Sequence, residues 1–316
     1  MFLRTTHGRC TGSLLLGTYA FTFVTLVATV SGGAACSAEK ATASAAIPKQ
    51  SSQPEEPLPP SDLETRLPEA VRDAVLKRFT GDFDEMIERK VVRVGVSPSR
   101  TFYFVDKGVQ RGVAYEYGQL MEDRINAKLG SKNIKVHVFF VPMSREKLIP
   151  ALVDGTIDLA AGSLTLTPER QALVDFSDPT RTNVSEIVVT GPGSPALTSL
   201  EDLSGRRIFV RKSSAYESSL LTLNEKLKAG GKPPVAIEFA PENLGDDDLL
   251  EMVNAGLLPA VIVDDYVARF WKKVFPALVL HEKVAVRSGS NLGVAIRKNN
   301  PQLRSYTLSL HDALPI

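Results

Sequence analysis

Residues 160–179, AAGSLTLTPERQALVDFSDP, contain the side chains whose types and spacing best suit chemistry. Small residues end an apolar run, and Thr167 followed by Pro168 is typical of a helix N-cap and first helical position. Free backbone N–H groups and the positive end of the helix dipole would then lie beside Arg170, whose guanidinium can hold a carboxylate through two hydrogen bonds. The pattern predicts a seat for an anionic small molecule. The alternative is a solvated or locally paired arginine.

The elements that must position this seat alternate between strand and helix patterns. Alternation of this kind predicts a mostly parallel α/β sheet. The last two strands are expected to be separate, at 277–286 and 291–299, with a turn before the second. The other strand patterns cover 91–96, 135–141, 156–162, 186–191, 206–212, 234–240 and 260–265, with helical patterns at 115–129, 145–153, 214–228 and 246–255 between them.

The α/β pattern divides into two units without a Pro- or Gly-rich linker between them. The chain must therefore run straight from one unit to the other and back, which predicts two lobes, two crossover strands that form a hinge, and a cleft. We expect a helical lead-in at 63–90, a first lobe from 91–187 and 287–305, and a second lobe from 188–286.

Composition limits the classes of function. The chain of 316 residues has 37 Lys and Arg against 36 Asp and Glu, so it has no strongly basic field and nucleic acid is not an expected partner. Its two cysteines, Cys10 and Cys36, both precede the α/β pattern, which excludes a cysteine metal site there. The histidines lack partners at metal or triad spacing. We predict no metal, no cofactor and no catalytic site in these residues, and leave open whether the parent protein is an enzyme.

Residues 1–36 have the pattern of an export signal, with two arginines ahead of a long uncharged run. Cys36 follows small residues and resembles the lipobox cysteine of bacterial lipoproteins, which implies lipidation. Cleavage near Ala35 and an uncleaved membrane anchor are the alternatives. Lipidation, cleavage and an uncleaved anchor all predict a periplasmic location. Lipidation and an uncleaved anchor also predict attachment to a membrane. Residues 37–62, rich in Ala, Ser, Pro and Gln, predict a disordered tether.

The sequence of residues 160–179 resembles the corresponding segment of the family 3 extracellular solute-binding proteins. The resemblance covers about residues 90–304 and implies the two-lobed type II periplasmic binding fold, with an amino acid or related solute in the cleft. The matching residues are Thr165, Thr167, Glu169, Arg170, Asp175, Phe176, Ser177 and Pro179.

The resemblance also implies roles for particular residues. Arg170 matches the carboxylate-binding arginine, Thr165 a ligand-contacting threonine, and Ser163 a position whose backbone contacts the ligand. Asp264 matches the acid that pairs with a ligand ammonium, with Asp265 as the adjacent alternative. A helix N-cap is an equally good interpretation of Asp264.

Looser matches add residues on both sides of the cleft. In the second lobe, Arg211, Ser214 and Ala215 fall where a basic side chain, a hydroxyl and a helix N-terminus face the ligand, although the usual glycine-containing turn is missing. In the first lobe, Tyr103 or Phe104 would line the cleft, and packing in the core is the alternative.

Within the family, four segments are most similar to the binding module of membrane-bound lytic murein transglycosylases, including KVHVFFVPMSREKLIPALVDGTIDLAAG. This implies a sensory or regulatory module for an amino-acid- or muropeptide-like ligand, with peptidoglycan as a partner. The alternative is the substrate-binding receptor of an ABC-type amino-acid transporter, with a permease as partner.

The C-terminal residues 306–316 resemble a translated sequencing adapter, and we interpret them as non-native sequence. On this interpretation the gene product continues past these residues, where a catalytic domain of the transglycosylase type would follow. A genuine C-terminal amphipathic helix is the alternative.

Overall fold

The computed structural model describes residues 69–130 and 135–311, and for 69–71 and 308–311 the backbone alone. The predicted export signal with Cys36, the predicted tether and residues 312–316 lie outside this part of the chain. None of the helices in the described part has the length and apolar character that a membrane crossing requires.

Strands and helices alternate through most of the described chain, as the sequence pattern predicts. The helices are α1 (Glu69–Leu76), α2 (Phe83–Glu88), α3 (Val113–Leu129), α4 (Leu148–Val153), α5 (Pro168–Leu173), α6 (Ala215–Ala229), α7 (Asp246–Asn254), α8 (Asp265–Lys272) and α9 (Pro301–His311). The strands are β1 (Val91–Val96), β2 (Phe104–Asp106), β3 (Val109–Arg111), β4 (His137–Pro142), β5 (Leu159–Thr165), β6 (Asp175–Phe176), β7 (Arg181–Thr190), β8 (Arg207–Arg211), β9 (Ala236–Ala240), β10 (Ala260–Asp264) and β11 (Val279–Ile296).

Most strands belong to one sheet, in the order β4-β1-β5-β11-β7-β10-β8-β9, with β6 paired to β11. Pairing is parallel within β4-β1-β5 and within β10-β8-β9, and antiparallel where β11 and β7 join them. We call the β4-β1-β5 half with its helices lobe 1 and the β10-β8-β9 half with its helices lobe 2. The predicted α/β class is confirmed, and β7 and β11 are the two crossover strands.

The predicted break between the last two strands is wrong. β11 runs from Val279 to Ile296 as one strand and pairs with β7 from Val279↔Thr190 to Leu292↔Arg181, with four shifts of register. Gly289 adopts a left-handed conformation (φ 73°) within it. Bulges of this kind bend a strand without ending it. The residues predicted to form a turn before position 291 therefore lie in a bulged part of β11.

Each half-sheet is covered by apolar helices on both faces, which suits parallel strands. In lobe 2 the alternation of β10 is visible directly: Val261 and Val263 pack with α7 and α8, whereas Ile262 packs with α6. In lobe 1 the residues of α3 and α4 form separate clusters on the two faces of β1 and β5. The ends of the buried strands are therefore where each half-sheet can offer polar groups to a ligand.

The lead-in helix α1 is tied to lobe 1 through a buried charge cluster. Arg93 and Asp158 are both fully buried and pair at 2.9 Å, and Arg93 also donates to the carbonyls of Val75 and Lys77 at the end of α1. Arg89 forms a further ion pair with Asp158. Buried charges are tolerated only when paired and hydrogen-bonded, so this cluster fixes α1 against the sheet.

Helix α9 packs on α2. Asp82 accepts hydrogen bonds at 3.0 Å from the backbone N–H groups of Gln302 and Leu303, and the rings of Tyr306 and Phe83 stack with centroids 4.3 Å apart. Tyr306 thus packs against lobe 1 at the start of the segment interpreted as adapter translation. That interpretation stays a prediction.

Candidate ligand-binding cleft

The carboxyl ends of the parallel strands of the two lobes face each other, and contacts between the lobes define a cleft there. The Ser163 hydroxyl, near the end of β5, lies 3.1 Å from the Tyr266 hydroxyl in the first turn of α8. Arg170 of α5 reaches the carbonyl of Ser213, just ahead of α6, at 3.0 Å. In open α/β sheets, ligands bind outside the carboxyl ends of strands, so this is the candidate site.

Arg170 lies where its sequence motif predicts, in the first turn of α5. Thr167 caps the helix, accepting from the Arg170 N–H at 3.4 Å, and Pro168 takes the first position. The guanidinium donates to the carbonyls of Thr165 (2.9 Å) and Ser213, and no carboxylate of the described residues lies within 4 Å of it. Loss of contact with water, reinforced by the nearby charge of Arg145, lowers the pKa of Arg170 to about 10. Arg170 is a cation with neutral acceptors only.

Asp264 ends β10 and is 4% exposed. It occupies the N-cap position of α8 but makes no side-chain capping bond, and its Oδ1 is buried without a hydrogen-bond partner. Burial, with the acidic groups of Asp246 and Glu186 nearby, raises the pKa of Asp264 to about 8. The neighbouring Asp265 instead pairs with Arg269 at 2.8 Å. Of the two adjacent acids, Asp264 is the one with an unsatisfied carboxyl in the cleft.

A bulge in β5 brings a second guanidinium into the cleft. Ser163 has φ 50°, a left-handed conformation that non-glycine residues seldom adopt. Arg145, just beyond the end of β4, donates to the consecutive carbonyls of Gly162 (2.6 Å) and Ser163 (2.9 Å), while its Nε is buried without a partner. Its charge acts on Arg170 and on Asp264, so it lies near both. The sequence motifs do not indicate Arg145, although its place just after a strand is a usable signal.

Three further residues that the sequence motifs did not indicate surround Asp264. The Tyr216 hydroxyl accepts from the Asp264 N–H at 3.2 Å, and burial raises the pKa values of Tyr216 and of Tyr266, whose hydroxyl meets Ser163. Glu186 lies opposite Asp264 on β7 and is fully buried, which raises its pKa. The second lobe therefore supplies a layer of buried carboxyls and phenols at the crossover strands.

The other predicted second-lobe residues are engaged within lobe 2. Arg211 is 4% exposed, forms an ion pair with Asp246 and donates to the carbonyl of Leu244 at 2.7 Å. The ion pair raises the pKa of Arg211 despite its burial. The Ser214 hydroxyl donates to the carbonyl of Arg211 at 2.7 Å. Among the described residues, the Nε of Arg211 is buried without a partner, but the charge of Arg211 is compensated by Asp246, whereas Asp264 has no ion pair. These contacts position the start of α6 (Ala215), whose preceding carbonyl at Ser213 meets Arg170.

Tyr103 packs mainly in the core of lobe 1. Its ring stacks on Phe140 at 5.6 Å, and its hydroxyl donates to Gln110 at 2.9 Å. One edge of Tyr103 and the half-buried Phe104 line an open groove of about 400 Å³, bounded on the other side by Asn243, Asp247 and Asp248 of lobe 2. Tyr103 therefore packs mainly in the core, and it also lines part of the groove at the outer end of the cleft.

A second set of contacts joins the lobes beside this groove. The Asp247 carboxylate, 1% exposed, accepts from the Ser99 hydroxyl (2.9 Å), the Arg100 N–H (3.0 Å) and the Arg100 Nε (3.1 Å). Arg100 also pairs with Glu251 at 2.8 Å, and Trp271 donates to Thr101 at 3.0 Å. These bonds hold lobe 1 against α7 and α8 independently of Arg170.

The arrangement of the cleft suits the binding of charged groups. Within residues 69–130 and 135–311, no group of three or more His, Cys, Asp or Glu side chains is placed to hold a metal ion. The cleft instead presents two guanidiniums from lobe 1 and an unsatisfied carboxyl from lobe 2. Two α/β lobes, two crossover strands and polar side chains meeting at the strand ends define a two-lobed solute-binding protein of the type II periplasmic class.

Comparison with known proteins identifies the family. The model of the bacterial extracellular solute-binding proteins, family 3, matches residues 92–310, and the chain belongs to this family. The predicted family and type II fold are therefore confirmed. An ancestral arginine-binding protein solved with bound arginine is similar in structure, with a TM-score of 0.56, 28% identity, and coverage of 71% of this chain and 92% of that one.

Two kinds of curated relative match. The glutamate/aspartate import solute-binding protein of Salmonella typhimurium is 25% identical over 235 residues, which are 70% of each chain. Membrane-bound lytic murein transglycosylase F of Aeromonas salmonicida is 28% identical over 201 residues, 63% of this chain and 37% of the relative. The predicted likeness to the transglycosylase module is confirmed, and the chain spans little more than a third of that relative's length.

Proposed function

We propose that the cleft binds a small zwitterionic ligand of the amino-acid or peptide class, with Arg170 on its carboxylate and Asp264 on its ammonium. The observation that carries the proposal is a pair of groups without an ionic partner in the described part of the chain: a desolvated guanidinium on lobe 1 and a buried carboxyl on lobe 2, one oxygen of which has no hydrogen bond. Charge-assisted hydrogen bonds to a ligand would satisfy both groups. The relatives' printed ligands, glutamate or aspartate and arginine, are of the same class.

Other residues would shape the same site. Thr165 and Ser163 lie at the end of β5, where Thr165 would contact the ligand beside Arg170 and the backbone of Ser163 would add a further contact. Two of the predicted residues, Arg211 and Ser214, would hold the start of α6 in place without contacting the ligand. Tyr103 would line the outer end of the cleft.

Titration calorimetry with a panel of amino acids and muropeptides tests this proposal. Losing one charge-assisted contact costs about 1.5–3 kcal/mol, so Arg170→Ala should weaken binding of the best ligand about tenfold to a hundredfold. Arg207→Ala is the matched control, because Arg207 begins β8, at the end remote from the cleft, and forms an exposed ion pair with Glu238 at 3.1 Å. Equal affinities of Arg170→Ala and the parent protein would refute the site.

For the parent protein we propose a sensory or regulatory module joined to a peptidoglycan lytic transglycosylase, with peptidoglycan fragments as the source of ligand. The likeness to transglycosylase F supports this. Sequencing the gene past Arg304 tests it, since the proposal requires a lysozyme-like domain there. The proposed anchor is the N-terminal segment, through lipidation at Cys36. Metabolic labelling with a fatty-acid analogue should mark the protein but not Cys36→Ala.

A transport receptor is the second candidate function, and the import protein of Salmonella typhimurium favours it. On this proposal the liganded protein delivers its amino acid to a membrane permease. A permease gene beside this gene, together with ligand uptake that disappears when this gene is deleted, would support transport. An adjoining transglycosylase domain would instead favour the regulatory module.

A further inference from the structure

Arg145 gives the cleft a second positive group that the zwitterion proposal leaves unused. Its terminal nitrogens hold the carbonyls of Gly162 and Ser163, which fixes the guanidinium rigidly at the end of β5. Its Nε is buried and has no hydrogen-bond partner, although a buried N–H normally finds one. Because Ser163 meets Tyr266 of lobe 2 through their hydroxyls, the bonds to the two carbonyls place Arg145 where the lobes meet, and its charge acts on Arg170 and Asp264 nearby.

The charges of the cleft do not balance. Arg211 is compensated by Asp246, and Glu186 lies 3.7 Å from Arg287. Within the described part of the chain, Arg145 and Arg170 have no carboxylate within 4 Å, and Asp264 has no ion pair and a buried carboxyl oxygen without a hydrogen-bond partner. The exposed Arg181, over the ring of Tyr266 at 4.2 Å, adds positive potential. Two guanidiniums against one carboxyl suit a ligand with one ammonium and two carboxylates.

We propose that the ligand is an acidic amino acid or acidic dipeptide, and that Arg145 binds its second carboxylate and so determines specificity. The inference rests on the proposed zwitterion site and deepens it. An Nε–H aimed at a carboxylate forms a charge-assisted bond, and the two carbonyls already held by Arg145 keep it in place without ligand. A cationic side chain in the ligand would meet Arg145 as a like charge.

Calorimetry on the purified full chain tests the inference without any substitution. The probes are L-glutamate, L-glutamine and L-arginine, which share the α-ammonium and α-carboxylate but differ in side-chain charge. We expect glutamate to bind about tenfold to a hundredfold more tightly than glutamine, and arginine more weakly than glutamine. L-alanyl-D-glutamate, which has one ammonium and two carboxylates, tests the peptide source. Tighter binding of the dipeptide than of glutamate indicates a peptide ligand, and the reverse a free amino acid.

Variants assign the preference to Arg145. Arg145→Gln should reduce the glutamate-to-glutamine affinity ratio to about one, and Arg145→Lys should retain part of it, because the charge remains. Arg207→Gln removes an equal charge from the start of β8, away from the cleft, and should keep the parent ratio.

The outcomes separate the two proposals. Glutamine binding as tightly as glutamate to the parent chain, or an unchanged ratio in Arg145→Gln, overturns the role of Arg145 while amino-acid binding stands. Absence of binding by every probe refutes the zwitterion site and this inference together.

Discussion

Binding of an ammonium-bearing ligand should weaken about fifty-fold when the pH falls from 8 to 6. Asp264 must be ionised to pair with the ammonium, and its pKa without ligand is raised to about 8, chiefly by burial. About half of the Asp264 carboxyls are ionised at pH 8, but only about 1% at pH 6, and affinity follows the ionised fraction. The loss corresponds to about 2 kcal/mol.

The groups packed around Asp264 support this direction. Glu186 on β7 and Asp246 on α7 disfavour a further negative charge, whereas Arg145 and the Tyr216 hydroxyl partly offset them. Lobe 1 thus contributes one opposing cation, and lobe 2 contributes mostly acids. A bound ammonium reverses the balance, so the carboxyl should release its proton when the ligand binds below pH 8.

Calorimetry at pH 6, 7 and 8, in buffers of different ionisation enthalpy, measures both the affinity and the protons released. We expect nearly one proton to be released per ligand at pH 6. Asp264→Asn should bind weakly with no pH dependence in this range, whereas Glu186→Gln should retain most of the slope. A flat profile for the parent protein, or an unchanged slope in Asp264→Asn, would refute the reasoning.

Three further predictions concern stability and lobe closure. Between about pH 4 and pH 8 the raised pKa of Asp264 lets the folded state hold a proton that the unfolded state releases, so the contribution of Asp264 to the free energy of unfolding falls as the pH rises. Asp264→Asn should therefore raise the ligand-free Tm at pH 8 but not at pH 4. Arg93→Met removes the main partner of the buried Asp158 and should cost about 3–5 kcal/mol in urea denaturation. Arg100→Ala removes the Nε bond to Asp247 and the ion pair with Glu251, and should increase the ligand-free radius of gyration in X-ray scattering. An unchanged radius would contradict a role of Arg100 in holding the lobes together.

The sequence predicts those parts of the site that depend on local backbone rules. Thr167 and Pro168 define the start of α5, and Arg170 follows in its first turn because capping geometry depends on residues three apart. The alternation of strands and helices predicts the sheet in the same way. The crossover strand β11 is less predictable. The residues near Gly289 have a turn-like sequence but form a bulge, because pairing with β7 continues on both sides of them.

Side-chain direction and long-range pairing could not be predicted in this way. Asp264 and Asp265 are adjacent acids at one strand end, and only the fold shows that Asp265 pairs with Arg269 while Asp264 remains unsatisfied. Arg211 lies at its expected position, but its guanidinium pairs with Asp246, which is 35 residues later in the chain. Arg145 lies in a short turn without periodicity, and the β5 bulge that receives it depends on the left-handed conformation of Ser163.

Each lobe gathers like charges at the cleft. Arg145 and Arg170 of lobe 1 repel each other, and Asp264 lies close to the acids Glu186 and Asp246 on the lobe 2 side. The contacts of Ser163 with Tyr266 and of Arg170 with the Ser213 carbonyl join the lobes there without compensating these charges. On the proposed binding mode, a ligand with carboxylates toward lobe 1 and an ammonium toward lobe 2 would remove both repulsions at once. Only the closed form brings both lobes to the ligand, so such a ligand would bind it better than an open form, and this difference in affinity would drive hinge closure.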